Sequence, residues 1–141
     1  MRYGNKAVLW TIGHGSLSKE EFLRLLKKHK IQILVDVRRF PKSKLGHFCK
    51  EDMEQWLPKN GISYFWLGEE LGGYRREGYD KYMETSSFKE GVNRLLEIAG
   101  KNRTCIMCLE TDPKYCHRRF IASYLSRRRV RVIHIVKSKK K

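Results

Sequence analysis

Short apolar runs alternate with amphipathic stretches along the whole chain. Ala7 to Ile12 is apolar and closed by Gly13-His14-Gly15, which predicts a strand ending in a turn. From Ser18 the period becomes helical. Phe22, Leu23, Leu25 and Leu26 form one stripe, and Ser18 with Glu21 makes a capping box at its start. Ile33 to Val37 predicts a second strand, followed by a basic loop from Arg38 to Lys44. A shorter helix is expected around Glu51 to Leu57, with Met53, Trp56 and Leu57 on one side and Gly61 just past its end. Ile62 to Leu67 reads as strand three, and a long loop is expected from Gly68 to about Thr85. Ser87 and Glu90 read as the cap of the next helix, with a stripe of Phe88, Val92, Leu95, Leu96 and Ala99 and a stop at Gly100. Strand four is expected over Thr104 to Leu109, a helix over Pro113 to Arg127, and strand five over Val130 to Val136.

Strands and helices in alternation predict an α/β fold: a mostly parallel five-stranded sheet with helices on both faces. No linker or repeat divides the chain, so residues 1–136 are expected to form one domain and residues 137–141 a basic tail. In such sheets ligands bind beyond the carboxyl ends of the strands. That rule gathers His14, the Asp36–Arg38 strand end, the Gly72-Gly73 loop and the segment Glu110 to Arg118 onto one rim.

Composition narrows the class. The 141 residues are 40% hydrophobic, which excludes a disordered chain. No apolar run approaches the about 18 residues of a membrane span, and Met1 to Trp10 lacks a secretory h-region. The expectation is a cytoplasmic protein without a membrane partner. Lys and Arg number 31 against 15 Asp and Glu, a net charge of +16. Eight of the basic residues lie from Arg127 onward, with no acid among them. Such a balance favours anionic partners, either a small molecule or nucleic acid; a solvated tail that merely aids solubility accounts for the same charge. Charged residues at 33%, with only four Asn and two Gln, point to a thermophilic source.

The chemistry-bearing residues each admit a structural reading beside a functional one. Asp112-Pro113 is a helix-start signal that would put Cys116 in a first turn beside His117 and Arg118, where a thiolate is favoured and an anion is held. Cys116 then reads as a nucleophile or as part of the stripe continued by Phe120 and Tyr124, and His117 as a base or an inner histidine. Glu110 shares strand parity with Cys108 and reads as an acid/base or as half of an ion pair with Arg38 or Arg118. Asp36 and Arg38 share parity too. Arg38, followed by Arg39, Pro41, Lys42, Ser43 and Lys44, reads first as a phosphate contact and next as a buried salt bridge with Asp36. His14 between glycines is a ligand contact or a turn former. Gly72-Gly73 before Tyr74 is a phosphate cradle with a stacking aromatic, or an ordinary loop. Cys105 and Cys108 form a C-x-x-C on a strand, so they face opposite ways and make no redox pair. A zinc site from Cys108, Cys116, His117 and Cys49 lacks two clean ligand pairs, so no metal is expected, and the sequence names no cofactor.

Thr11-Ile-Gly13-His14, Val35-Asp36-Val37-Arg38 with Pro41 and Ser43, Leu71-Gly72-Gly73, and Cys108-Leu-Glu110 leading to Cys116-His117-Arg118 together resemble the family catalogued as domain of unknown function 488. The likeness runs from about Val8 to Ile135. One departure is Gly15, inserted where the family passes straight from His to Ser. The resemblance implies an α/β fold whose loops meet in one pocket, and implies no reaction. A fainter likeness, through Val35 to Arg38 and Leu45-Gly46-His47, is to rhodanese domains, with Cys108 near the place of their sulfur carrier.

Three functions follow. The leading one is a small enzyme acting on a phosphate-bearing or nucleotide-like substrate, with Cys116, His117 and Glu110 catalytic. Arg38, Arg118, His14, Asp36, Ser43, Gly72, Gly73 and Cys108 would bind the substrate. The alternative is a non-catalytic nucleic-acid-binding module. The third is rhodanese-like sulfur transfer. The reaction, the oligomeric state and the strand order are beyond the sequence.

Overall fold

The computed structural model describes residues 8–110 and 117–137. Five strands, β1 (Val8–Gly13), β2 (Ile33–Asp36), β3 (Ser63–Trp66), β4 (Thr104–Cys108) and β5 (Arg131–Ile135), form one sheet in the order β3-β2-β4-β1-β5. Every pairing is parallel. Ile33 lies level with both Ser63 and Thr104, which fixes the register of three strands in one row.

Side-chain alternation divides the interior into two layers. On one face Leu34, Cys105 and Met107 pack beneath Phe22 and Leu26 of α1 (Lys19–Lys28) and Met53, Trp56 and Leu57 of α2 (Lys50–Lys59). On the other, Val35, Ile106 and Cys108 pack against Phe88, Val92 and Leu95 of α5 (Ser86–Ala99) and Ile121 and Leu125 of α6 (Arg118–Ser126). The chain thus steps toward β3 across one face and back toward β5 across the other, as right-handed crossovers require.

The expected elements are all present among the described residues, with two differences. The segment Gly68 to Thr85 is not one loop: it holds two single-turn helices, α3 (Gly68–Leu71) and α4 (Tyr79–Tyr82). Leu71 and Tyr82 anchor them in the core, and Tyr82 donates its hydroxyl to the Glu70 carbonyl at 2.7 Å. The cap of α5 is Thr85, not Ser87, because the Thr85 hydroxyl accepts from Phe88 N at 3.2 Å. The described part of the last expected helix is α6, Arg118–Ser126, and its expected start at Pro113 lies outside the described residues. Asp112, Pro113 and Cys116 lie outside the described residues. The capping box of α1 forms as read, with Ser18 and Glu21 exchanging hydrogen bonds of 3.0 and 3.2 Å. Lys137, where the tail was expected to begin, pairs with Glu21.

Candidate functional site

What opens at the carboxyl ends of the strands depends on where pairing stops. Between β1 and β4 it continues beyond the sheet: His14 N donates to Cys108 O at 2.9 Å and Gly15 N to Leu109 O at 2.7 Å. That side is zipped shut. Between β2 and β4 the last bond is Val37 N to Met107 O, 3.0 Å, after which the chains part. There a cleft of about 480 Å³ opens. Its lining is Arg38, Arg39, Phe40 and Lys42 from the loop after β2, Gly73 and Tyr74 after α3, and Cys108, Leu109, Glu110 and His117 after β4. The cleft lies where open α/β sheets take ligands.

The base of the β2 loop is a sealed polar cluster. Asp36 and Arg38 are held side by side, with Nε to Oδ1 at 2.9 Å and Nη2 to Oδ2 at 2.7 Å. Asp36 has no exposed surface and Arg38 only 6%. Asp36 also accepts from Arg38 N and from the Tyr64 hydroxyl. Tyr64 thereby titrates far above the ordinary phenol range, through burial first and the Asp36 charge second. Burial alone would pull the Arg38 pKa down, but Asp36 more than offsets it.

His14 completes the cluster. Fully buried and stacked on Phe48 at 4.4 Å, it places Nδ1 3.0 Å from Gly15 O. With that nitrogen donating to the carbonyl, Nε2 is left to accept from Arg38 Nη1 at 3.3 Å. Gly15, at φ +46°, supplies the carbonyl that sets this tautomer. Burial, with Arg38 adding, lowers the His14 pKa from 6.5 to about 4, so the ring is neutral near pH 7.

Arg118, expected as a second clamp, is also buried and is not among the residues that line the cleft. Nη1 donates to the Thr11 hydroxyl at 3.1 Å and Nη2 to the Glu110 carbonyl at 3.0 Å. Thr11 in turn meets His134 Nδ1 across β1 and β5. Glu110 was expected to pair with Arg38 or Arg118; its carboxylate is in no ion pair among the described residues and the side chain is exposed. Only its backbone answers Arg118.

His117 stands in the cleft wall. Nε2 lies 3.0 Å from the Val37 carbonyl, and Gly73 crosses so close that a Cβ there would sit 3.2 Å from the ring. Burial lowers its pKa against the pull of the Val37 carbonyl. Gly72 is needed for a different reason. A Cβ on it would come within 2.3 Å of Gly68 O and 2.6 Å of Arg39 Cα, so this glycine lets the α3 turn lie against the β2 loop. Ser43 does not reach the cleft; its hydroxyl accepts from Leu45 N at 3.0 Å in a local turn. Cys105 and Cys108 face opposite layers as expected. Cys108 is disulfide-bonded.

The sequence reading passed over Phe40, the cleft's other aromatic. Phe40 and Tyr74 are 63% and 80% exposed, with ring centroids 5.8 Å apart. Arg39 lies over Phe40 and donates to the Tyr74 carbonyl at 2.9 Å, tying the two loops together. Tyr74 has φ +61°, a conformation that costs a non-glycine residue of order 1–3 kcal/mol. The available signal was a lone aromatic inside the basic, proline-kinked loop Arg38 to Lys44.

A family model described as "Domain of unknown function DUF488" matches residues 18–125. The chain belongs to that family. The DUF488 match takes in the Asp36–Arg38 cluster and every residue lining the cleft, and stops short of β1 with His14 and of β5. No curated protein and no solved structure matches the chain. No described helix is long and apolar enough to cross a membrane, and no described cluster of His, Cys, Asp and Glu could hold a metal ion.

Proposed function

We propose that the cleft between the ends of β2 and β4 binds a phosphate-bearing, nucleotide-like anion. The observation that carries this reading is the pair of exposed rings, Phe40 and Tyr74, set beside Arg39 and Lys42 on one rim. Large aromatic side chains held out in water, one in a strained backbone conformation, call for a ligand with a flat face. Cations next to them call for negative charge on the same ligand. A volume of about 480 Å³ suits a mononucleotide-sized molecule.

Arg38 supports the site from behind, because its fork is spent on Asp36. Phosphate therefore falls to Arg39 and Lys42. The enzymatic form of the reading rests on His117 and Glu110, the two proton-transferring groups on the wall. Of the two, Glu110 is exposed at the wall, whereas the His117 ring is bonded to the Val37 and Leu71 carbonyls.

Titration calorimetry with adenosine monophosphate, adenosine and inorganic phosphate tests the binding. The monophosphate should bind more tightly than either fragment. Tyr74→Ala should weaken it by about 5- to 100-fold, the worth of one stacking contact. Lys42→Ala should weaken the monophosphate and leave adenosine unchanged. Equal affinity for the wild type and both variants would overturn the proposal.

A further inference from the structure

At the opposite end of the sheet, where the strands begin, the charge is one-sided. Four described connections lead into strands there: residues 27–32, 59–62, 97–103 and 127–131. Together they hold ten Lys and Arg and one carboxylate, Glu97. All ten basic residues are exposed. Lys27, Lys28 and Lys30 come before β2, and Lys59 before β3. Lys101 and Arg103 come before β4. Arg127, Arg128, Arg129 and Arg131 form the turn into β5 and its first position.

Cations at helix ends are ordinary, since they complement the dipole and bond the last carbonyls. Lys27 does this with Asn60 O, and Arg103 with His29 O. Arg128 instead donates to the Tyr124 hydroxyl and lies over its ring, and the other seven go beyond that need. None of the ten is in an ion pair among the described residues. The strand order spreads them along the rim from β3 at one edge to β5 at the other, about 19 Å at the usual strand spacing. Ten like charges so close repel one another in the isolated protein, and a row of phosphates would relieve the repulsion.

We infer that this amino-terminal rim is a binding surface for the phosphate backbone of nucleic acid, without sequence preference. A lipid bilayer fits less well. Among the described residues the large exposed apolar side chains are Phe40, Phe65, Tyr74, Leu109 and Val136, and none lies in these four connections, so these connections set nothing to insert between acyl chains. Arginine forks instead suit phosphodiesters, and Gln32, Asn60 and Asn102 add amides along the same rim. The surface is independent of the cleft, separated from it by the length of the strands.

Fluorescence anisotropy on the full chain with a labelled 20-base-pair duplex tests the inference, with phosphatidylserine vesicles as the other arm. A rim that meets about five phosphates gives a log–log salt slope of about −4 to −5, a loss of several hundred-fold between 50 and 200 mM salt. Arg127→Glu, Arg128→Glu and Arg129→Glu together should weaken binding at least tenfold and flatten the slope by about 2 to 3. Lys28→Glu with Lys30→Glu, on a separate connection, should weaken it in the same direction. A chain ending at Lys137 should bind the duplex as the wild type does. Unchanged affinity in the folded triple variant would overturn the inference. So would loss of binding on trimming after Lys137, or capture by vesicles without capture of the duplex.

Discussion

Arg38 and Arg39 are neighbours in sequence and opposites in circumstance. Arg38 is 6% exposed, locked to Asp36 through two bonds and facing His14 with its remaining nitrogen. Arg39 lies along the cleft rim, stacked near Phe40 and bonded only to a backbone carbonyl. A buried guanidinium must be neutralised by a fixed partner or it costs several kcal/mol. A half-buried one at a cleft rim, such as Arg39, keeps its contact with water and stays available to a ligand. Side-chain burial, more than residue type, therefore separates the groups that hold this site together from those that meet what enters it.

The contrast breaks most sharply at Asp36. Asp36→Ala strands Arg38 in the interior and should cost about 3–5 kcal/mol in urea unfolding. Lys42→Ala on the open rim should change stability by less than about 0.5 kcal/mol. Similar losses in the two variants would dissolve the distinction.

Acid provides a second test. His14 is neutral in the folded protein with a pKa of about 4, against 6.5 when exposed. Between those values the unfolded chain binds the extra proton, so stability is full above pH 6.5, declines as pH falls, and has lost this contribution below pH 4. The loss from His14 is about 3 kcal/mol at 1.36 kcal/mol per unit. His117 and His134 are lowered by burial too and add in the same direction. His14→Gln should start less stable and show a flatter dependence across this window; an unchanged slope would remove His14 from the account.

Gly72→Ala pushes a methyl group into Gly68 O and the Arg39 backbone, and should destabilise by about 1–3 kcal/mol while lowering cleft affinity. The smallest effect is the most discriminating. Tyr74→Gly relieves a left-handed tyrosine and should raise stability by up to about 1 kcal/mol, yet weaken nucleotide binding. A variant that loses both would mean that Tyr74 is structural.

Local pattern carried most of the architecture. The capping box at Ser18 and Glu21, the buried stripes of α1 and α5, and the apolar runs of β1, β2 and β4 all follow from spacing, because helix and strand periods are written in neighbouring residues. The two short helices between Gly68 and Thr85 escaped this logic. A single turn has no period to read, and these are stabilised by Leu71 and Tyr82 reaching the core.

The sequence by itself determined the α/β class, the rim on which the polar residues gather and the excess of positive charge. It also brought Asp36 and Arg38 to one side of the same chain end, since a two-residue offset on a strand suffices for that. Only the tertiary structure decided that Arg38 turns inward, that Arg118 bonds Thr11 and the Glu110 carbonyl, and that Phe40 and Tyr74 meet across two loops. Those outcomes depend on groups distant in sequence competing for the same buried hydrogen bonds, and on where the ladder between β2 and β4 ends.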